Sequence, residues 1–114
     1  MVDIGDRDRI GNPGIDPALG VPLAAPPDAF TTDGAPTDPT TVTLTIKKPD
    51  LSLLVYGWPA PGASGLLTRE SAGRFYAELT YDQPGTWRYR LEGTGTAVAA
   101  EESSVKVSKS KVLP

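Results

Sequence analysis

Arg74-Phe75-Tyr76-Ala77-Glu78-Leu79-Thr80-Tyr81, then Asp82-Gln83-Pro84-Gly85, then Thr86-Trp87-Arg88-Tyr89-Arg90-Leu91-Glu92: two alternating runs flank one turn. Phe75, Ala77, Leu79 and Tyr81 fall on one face of the first run. Trp87, Tyr89 and Leu91 fall on one face of the second, leaving Arg88, Arg90 and Glu92 on the other. A period of two is the mark of a half-buried strand, and Pro84-Gly85 supplies the turn chemistry.

Working outward, the same pattern recurs. Thr41-Val42-Thr43-Leu44-Thr45-Ile46-Lys47 alternates strictly, with Val42, Leu44 and Ile46 on one face, and Lys48-Pro49-Asp50 ends it. Leu51 to Trp58 reads as a second, less regular strand with both faces apolar. It is either covered on both sides or joins a subunit interface on one. Pro59 to Gly65 is a loop, and Leu66 to Ala72 allows a single helical turn at most. Gly93-Thr94-Gly95 is a turn, and Thr96 to Ala100 and Ser103 to Val107 supply one or two last strands. Short alternating strands with turn signals every ten residues or so describe an antiparallel sandwich or barrel.

Residues 1–38 differ in kind. They hold seven aspartates against two arginines, whereas the rest of the chain is slightly basic. From Asn12 to Pro39 the prolines at 13, 17, 22, 26, 27, 36 and 39 exclude a helix or a central strand. Ile15, Leu19, Val21, Leu23 and Phe30 are dotted through this stretch, so it reads as an arm or loop that orders against something. The division is therefore 1–39 for an N-terminal strand plus irregular acidic arm, 40–108 for the sandwich, and 109–114 for a tail.

Composition closes off most chemistry. The 114 residues include no cysteine and no histidine, which removes disulfides, thiolate nucleophiles, imidazole-based triads and the usual zinc ligand sets. Glu101-Glu102 on a strand would point to opposite faces. Asp3, Asp6 and Asp8 lack a calcium-loop spacing, and Gly93-Thr94-Gly95-Thr96 lacks the later glycine of a phosphate cradle. Ser64, Ser71 and Ser103 have no base at a telling spacing. No enzyme activity, cofactor or metal is expected. Net charge of −3 disfavours wholesale nucleic-acid binding, and neither a signal peptide nor a membrane span is legible.

Asp38-Pro39-Thr40-Thr41-Val42-Thr43-Leu44-Thr45-Ile46-Lys47-Lys48-Pro49-Asp50 begins a familiar order, continued by Gly73–Leu79, Asp82–Gly95 and Ala99–Glu102. Its most specific part is D-x-P-G-T-W-x-Y-R-x-E-G-T-G, Asp82 to Gly95. Over roughly residues 36–108 the chain resembles small Ig-like structural proteins of tailed actinobacteriophages. The resemblance implies an all-β fold: one Ig-like antiparallel β-sandwich of about seven strands, here with a long Pro/Gly-rich N-terminal arm or loop. It implies a virion protein assembled in the host cytoplasm, a stopper-type head-to-tail connector forming a homo-oligomeric ring in the neck. Its partners would be copies of itself, the adaptor or portal above, the tail terminator or tail tube below, and packaged DNA in the channel. A capsid decoration or minor tail protein, and an adhesive or carbohydrate-binding Ig-like module, are the competing functions.

The expected core is Val42, Leu44, Ile46, Phe75, Leu79, Trp87, Tyr89 and Leu91. Candidate interface residues are Ile15, Leu19, Val21, Leu23 and Phe30 of the arm, Trp58 as an aromatic anchor beside Pro59, Arg88 and Arg90 as a basic stripe, and Lys109 and Lys111 of the tail.

Overall fold

Threonine on one side and branched apolar residues on the other make 41–47 the central strand of the molecule. The structure, a computed structural model, describes residues 2–3, 7–15, 21–23, 28–95 and 99–108. Those residues form β1 (Val2–Asp3), β2 (Arg7–Gly11), β3 (Thr31–Thr32), β4 (Ala35–Pro36), β5 (Thr41–Lys47) and β6 (Leu53–Trp58), followed by β7 (Gly65–Leu66), β8 (Thr68–Ser71), β9 (Arg74–Thr80), β10 (Gly85–Thr94) and β11 (Ala99–Ser108). No helix occurs among them, hence none long and apolar enough to cross a membrane.

One sheet has the order β1-β11-β10-β5-β6-β7 and the other β2-β9-β8; β3 and β4 make a separate hairpin. β10 lies antiparallel between β5 and β11, and β1 adds to β11 in parallel. This is the immunoglobulin arrangement: β5, β10 and β11 hold the C, F and G places, β6 the added C′ place of variable-type domains, and β2, β9 and β8 the B, E and D places. Seven of the strands have four or more residues. The Ig-like sandwich is borne out.

The two sheets close on Val42, Leu44, Ile46, Phe75, Ala77, Trp87 and Leu91, all buried. Leu79 and Tyr89, also expected in the core, are half-buried against it. Burying Trp87 and Tyr81 requires partners for their polar atoms. Trp87 Nε1 donates to the Gln83 carbonyl at 3.0 Å, and Tyr81 Oη donates to Asp8 Oδ2 at 2.7 Å. The rings meet edge-to-face at 5.1 Å. The turn before β10 is thus nailed to β2 by the two aromatics that begin and end it.

One local expectation is corrected and two are narrowed. Leu66–Ser71 is extended and Ala72 enters the next turn, so no helical turn forms: Leu67 is buried, and Thr68–Ser71 pairs with β9 through a bulge between Arg69 and Ser71. The second strand starts at Leu53, because Leu51 closes the preceding turn with φ +74°. The last strand is one continuous β11, held in unbroken register along β10.

The described parts of the Pro/Gly-rich segment pack on the sandwich at the end bearing the β8–β9 turn. Asn12 is buried. Its Nδ2 donates to the Gly73 carbonyl (2.8 Å) and the Asp28 carbonyl (3.0 Å), while its Oδ1 accepts from Phe75 N (2.7 Å). Phe30 N also donates to the Gly73 carbonyl, and Gly73 N donates to Asp38 Oδ1, both at 2.9 Å. Gly73 has φ +74°, and a Cβ there would strike the Phe30 carbonyl, so only glycine fits this hub. Asp33-Gly34, both with positive φ, turn the β3–β4 hairpin in the manner of a type I′ turn.

Candidate interaction face

Alternation sends Arg88, Arg90 and Glu92 of β10 outward, and register decides what stands beside them. Arg90 lies opposite Glu102 on β11 and Thr45 on β5. Its Nη1 meets Glu102 Oε1 at 2.7 Å and its Nε meets Glu92 Oε1 at 2.6 Å. Donating to Glu102 and Glu92 raises its pKa further. Arg90 is therefore consumed within the chain.

Arg88 is not. It sits between Ser104 of β11 and Lys47 of β5, and Lys106 is its diagonal neighbour on β11, opposite Thr86. Among the described residues, none of Lys47, Arg88 and Lys106 has a carboxylate within ion-pair distance. Like charges set directly across a ladder destabilise it. Among the described residues no carboxylate offsets this pair.

Beside the cations stand two leucines in water. Leu51 is 70% exposed and Leu53 58%. Leu53 is opposite Lys47 in register. A concavity of about 530 Å³ runs over Lys47, Leu53, Arg88, Arg90 and Ser104. A second, of about 260 Å³, lies between Lys47, Pro49, Leu51 and Arg88.

The Lys48–Ser52 turn that carries Leu51 is tightly bonded. Leu51 N donates to the Lys48 carbonyl and Lys48 N to the Ser52 carbonyl, both at 2.9 Å. Asp50 Oδ1 accepts from the Ser52 hydroxyl (2.6 Å) and Ser52 N (2.9 Å), and Gln83 Nε2 donates to Asp50 Oδ2 (2.8 Å). These bonds, the Ser52 hydroxyl's first, lower the Asp50 pKa to about 2. Lys48 lies over the Trp87 ring at 5.4 Å and pairs with Asp82 at 3.0 Å, so it too is spent.

The other sequence candidates distribute differently. Phe30 is 5% exposed and 6.3 Å from the Phe75 ring, so its partner is the chain's own core and not a second protein. Trp58 is half-buried with its ring 4.7 Å from Phe75; it is a lid on the core and not an exposed anchor. Ile15 and Leu23 are half-buried, Ile15 bridging to Pro22, and Val21 is 48% exposed. Leu19, Lys109 and Lys111 lie outside the described residues. Of the basic stripe, only Arg88 remains available. Lys47 and Lys106, which join it, are found only through register: alternation puts each on an outward face but does not align the strands.

No group of three or more acidic, histidine or cysteine side chains among the described residues could hold a metal ion. No family model, curated protein or solved structure matches the chain.

Proposed function

We propose that the chain is a structural subunit of a tailed-bacteriophage virion, a stopper-type head-to-tail connector that builds a homo-oligomeric ring in the neck. The Asp82–Gly95 segment carries the resemblance to such proteins, and its residues build the β9–β10 corner of the sandwich. The observation that carries the assembly role is the outward face of the large sheet. Two directly opposed cations with no carboxylate partner among the described residues, beside two exposed leucines, are costly on a surface that stays in water, and they suit one that another protein covers. The ring would meet the portal or adaptor on one side and the tail terminator or tail tube on the other, around the DNA channel.

Electron microscopy of the purified full chain tests this reading. Rings with a central opening support it. A monodisperse monomer that binds assembled capsids overturns it in favour of a decoration role, and retention on bacterial polysaccharide would point to an adhesive module.

A further inference from the structure

We infer that the Leu51 turn of one copy, with Lys47 and Arg88 beside it, seats in an acid-rimmed hollow between Asp28 and Glu101 of a second copy, head to tail. The inference rests on the assembly reading above and names its contact.

The turn is built as a rigid knob. Leu51 is a non-glycine residue at φ +74°, a backbone state that residues with side chains seldom hold. The Asp50, Ser52 and Gln83 bonds keep it there, with the leucine side chain in solvent. Asp50 spends its own carboxylate on those bonds. Lys47 and Arg88 face each other across β5 and β10 and share a concavity with Leu51. Neither cation has a carboxylate within ion-pair distance among the described residues. The chemistry selected is an apolar recess with carboxylates on its rim.

The other end of the molecule supplies one. A hollow of about 260 Å³ lies between Asp28 and Glu101 and is lined by Phe30, Leu91, Ala99 and Ala100. Asp28 and Glu101 are exposed, and among the described residues neither has a cation within ion-pair distance. Their backbones are fixed. The Asp28 carbonyl accepts from buried Asn12 at 3.0 Å, and Glu101 is paired in register with Leu91. Phe30 and Leu91 already belong to the core, so the floor of the hollow is set before any partner arrives.

A molecule cannot seat its own turn there. Pro49 lies against Gly85 at the start of β10, whereas Glu101 stands opposite Leu91, roughly 20 Å further along that strand. Alternation also puts the cations on the outer side of the large sheet and Glu101 on the side of buried Leu91. Nor do two cationic faces suit each other: each carries Lys47, Arg88, Arg90 and Lys106 against Glu92 and Glu102, and would repel its like. Knob and hollow are different surfaces, so the contact is heterologous; repeated with rotational closure, it makes a ring.

The test uses two full-length variants, a knob variant (Lys47→Glu with Arg88→Glu) and a hollow variant (Asp28→Lys with Glu101→Lys), in sedimentation velocity. Each alone should associate at least ~10-fold more weakly than the native chain, because like charges then meet at the contact. Mixed, they should recover assembly: the native knob of one fits the native hollow of the other, and the exchanged charges match as well. A third variant separates docking from folding. Leu51→Gly relieves the left-handed backbone, so it should hold or raise the melting temperature while weakening association. Undiminished association of any of the three variants overturns this contact and leaves the neck reading standing. So does a mixture that stays monomeric although both variants melt as the native chain does. A native chain that remains monomeric overturns both.

Discussion

Replacing Asn12 should unfold the molecule from the loop end. Asn12→Ala removes three hydrogen bonds at once: those to the Gly73 and Asp28 carbonyls and the one from Phe75 N. The losses are unequal. Gly73 O keeps the bond from Phe30 N, and the Asp28 carbonyl belongs to an exposed residue that water can reach. Phe75 N is left as a buried donor with no acceptor, which costs about 1–3 kcal/mol, and the other two bonds add about 0.5–1.5 kcal/mol each. The total is about 2–6 kcal/mol, centred on about 4, against about 5–15 kcal/mol for a whole domain. The melting temperature should fall by about 10–20 °C, read from the fluorescence of buried Trp87.

Asn12→Asp sharpens the test. A carboxylate still accepts from Phe75 N but turns bare oxygen toward the Gly73 and Asp28 carbonyls, so burial and repulsion raise its folded pKa above the unfolded value of about 3.9. A raised pKa leaves the folded state most favoured below the unfolded value and weakens it as pH rises through the folded one. This variant should therefore regain stability on acidification through pH 4, when the protonated group can donate to the Gly73 carbonyl. Asn12→Ala should run parallel to the native chain over the same range. A loss below about 1 kcal/mol for Asn12→Ala, or no acid recovery for Asn12→Asp, would refute the account of this side chain.

Three further outcomes follow from the same geometry. Phe30→Ala should cost about 3 kcal/mol in urea unfolding, as a core truncation does, whereas Val21→Ser should stay within about 0.5 kcal/mol. The Asp50 pKa is depressed from 3.8 to about 2, so its contribution is present above pH 3.8 and lost as pH falls through 2; Asp50→Asn should flatten the stability profile across that window. Arg90→Ala should leave the urea midpoint essentially unchanged, because both of its ion pairs are exposed and screened by solvent.

The strands were legible because their alternation is local: Val42, Leu44 and Ile46, or Trp87 and Leu91, declare an inner face without reference to any neighbour. The role of Asn12 was not. Its partners are main-chain atoms at 28, 73 and 75, and one asparagine among prolines and glycines carries no periodic signal. Phe30 showed that the irregular segment orders against something, but only the arrival of Phe75 and Gly73 beside it reveals that the partner is internal. The interaction face was half legible. Arg88 and Arg90 share an outward face in the sequence, yet cross-strand register hands Arg90 to Glu102 and gives Arg88 two lysines from other strands. Leu51 reads as a strand residue by composition, and its turn comes from hydrogen bonds to Asp50 supplied partly by Gln83, thirty-three residues away.

Gly73 receives Asn12, Phe30 and Asp38 on its two peptide groups, and in doing so clamps both ends of the long insertion to one turn of the scaffold. Between two such fixed points length is cheap: doubling a closed loop costs only about 0.6 kcal/mol of closure entropy. Residues gained or lost between Ile15 and Pro22 leave the Ile15–Pro22 bridge and the Leu23–Gly14 bond to close the loop. Such a molecule can be refitted to a different neighbour by lengthening, shortening or rewriting a single tip, while the sandwich that bears it is inherited intact.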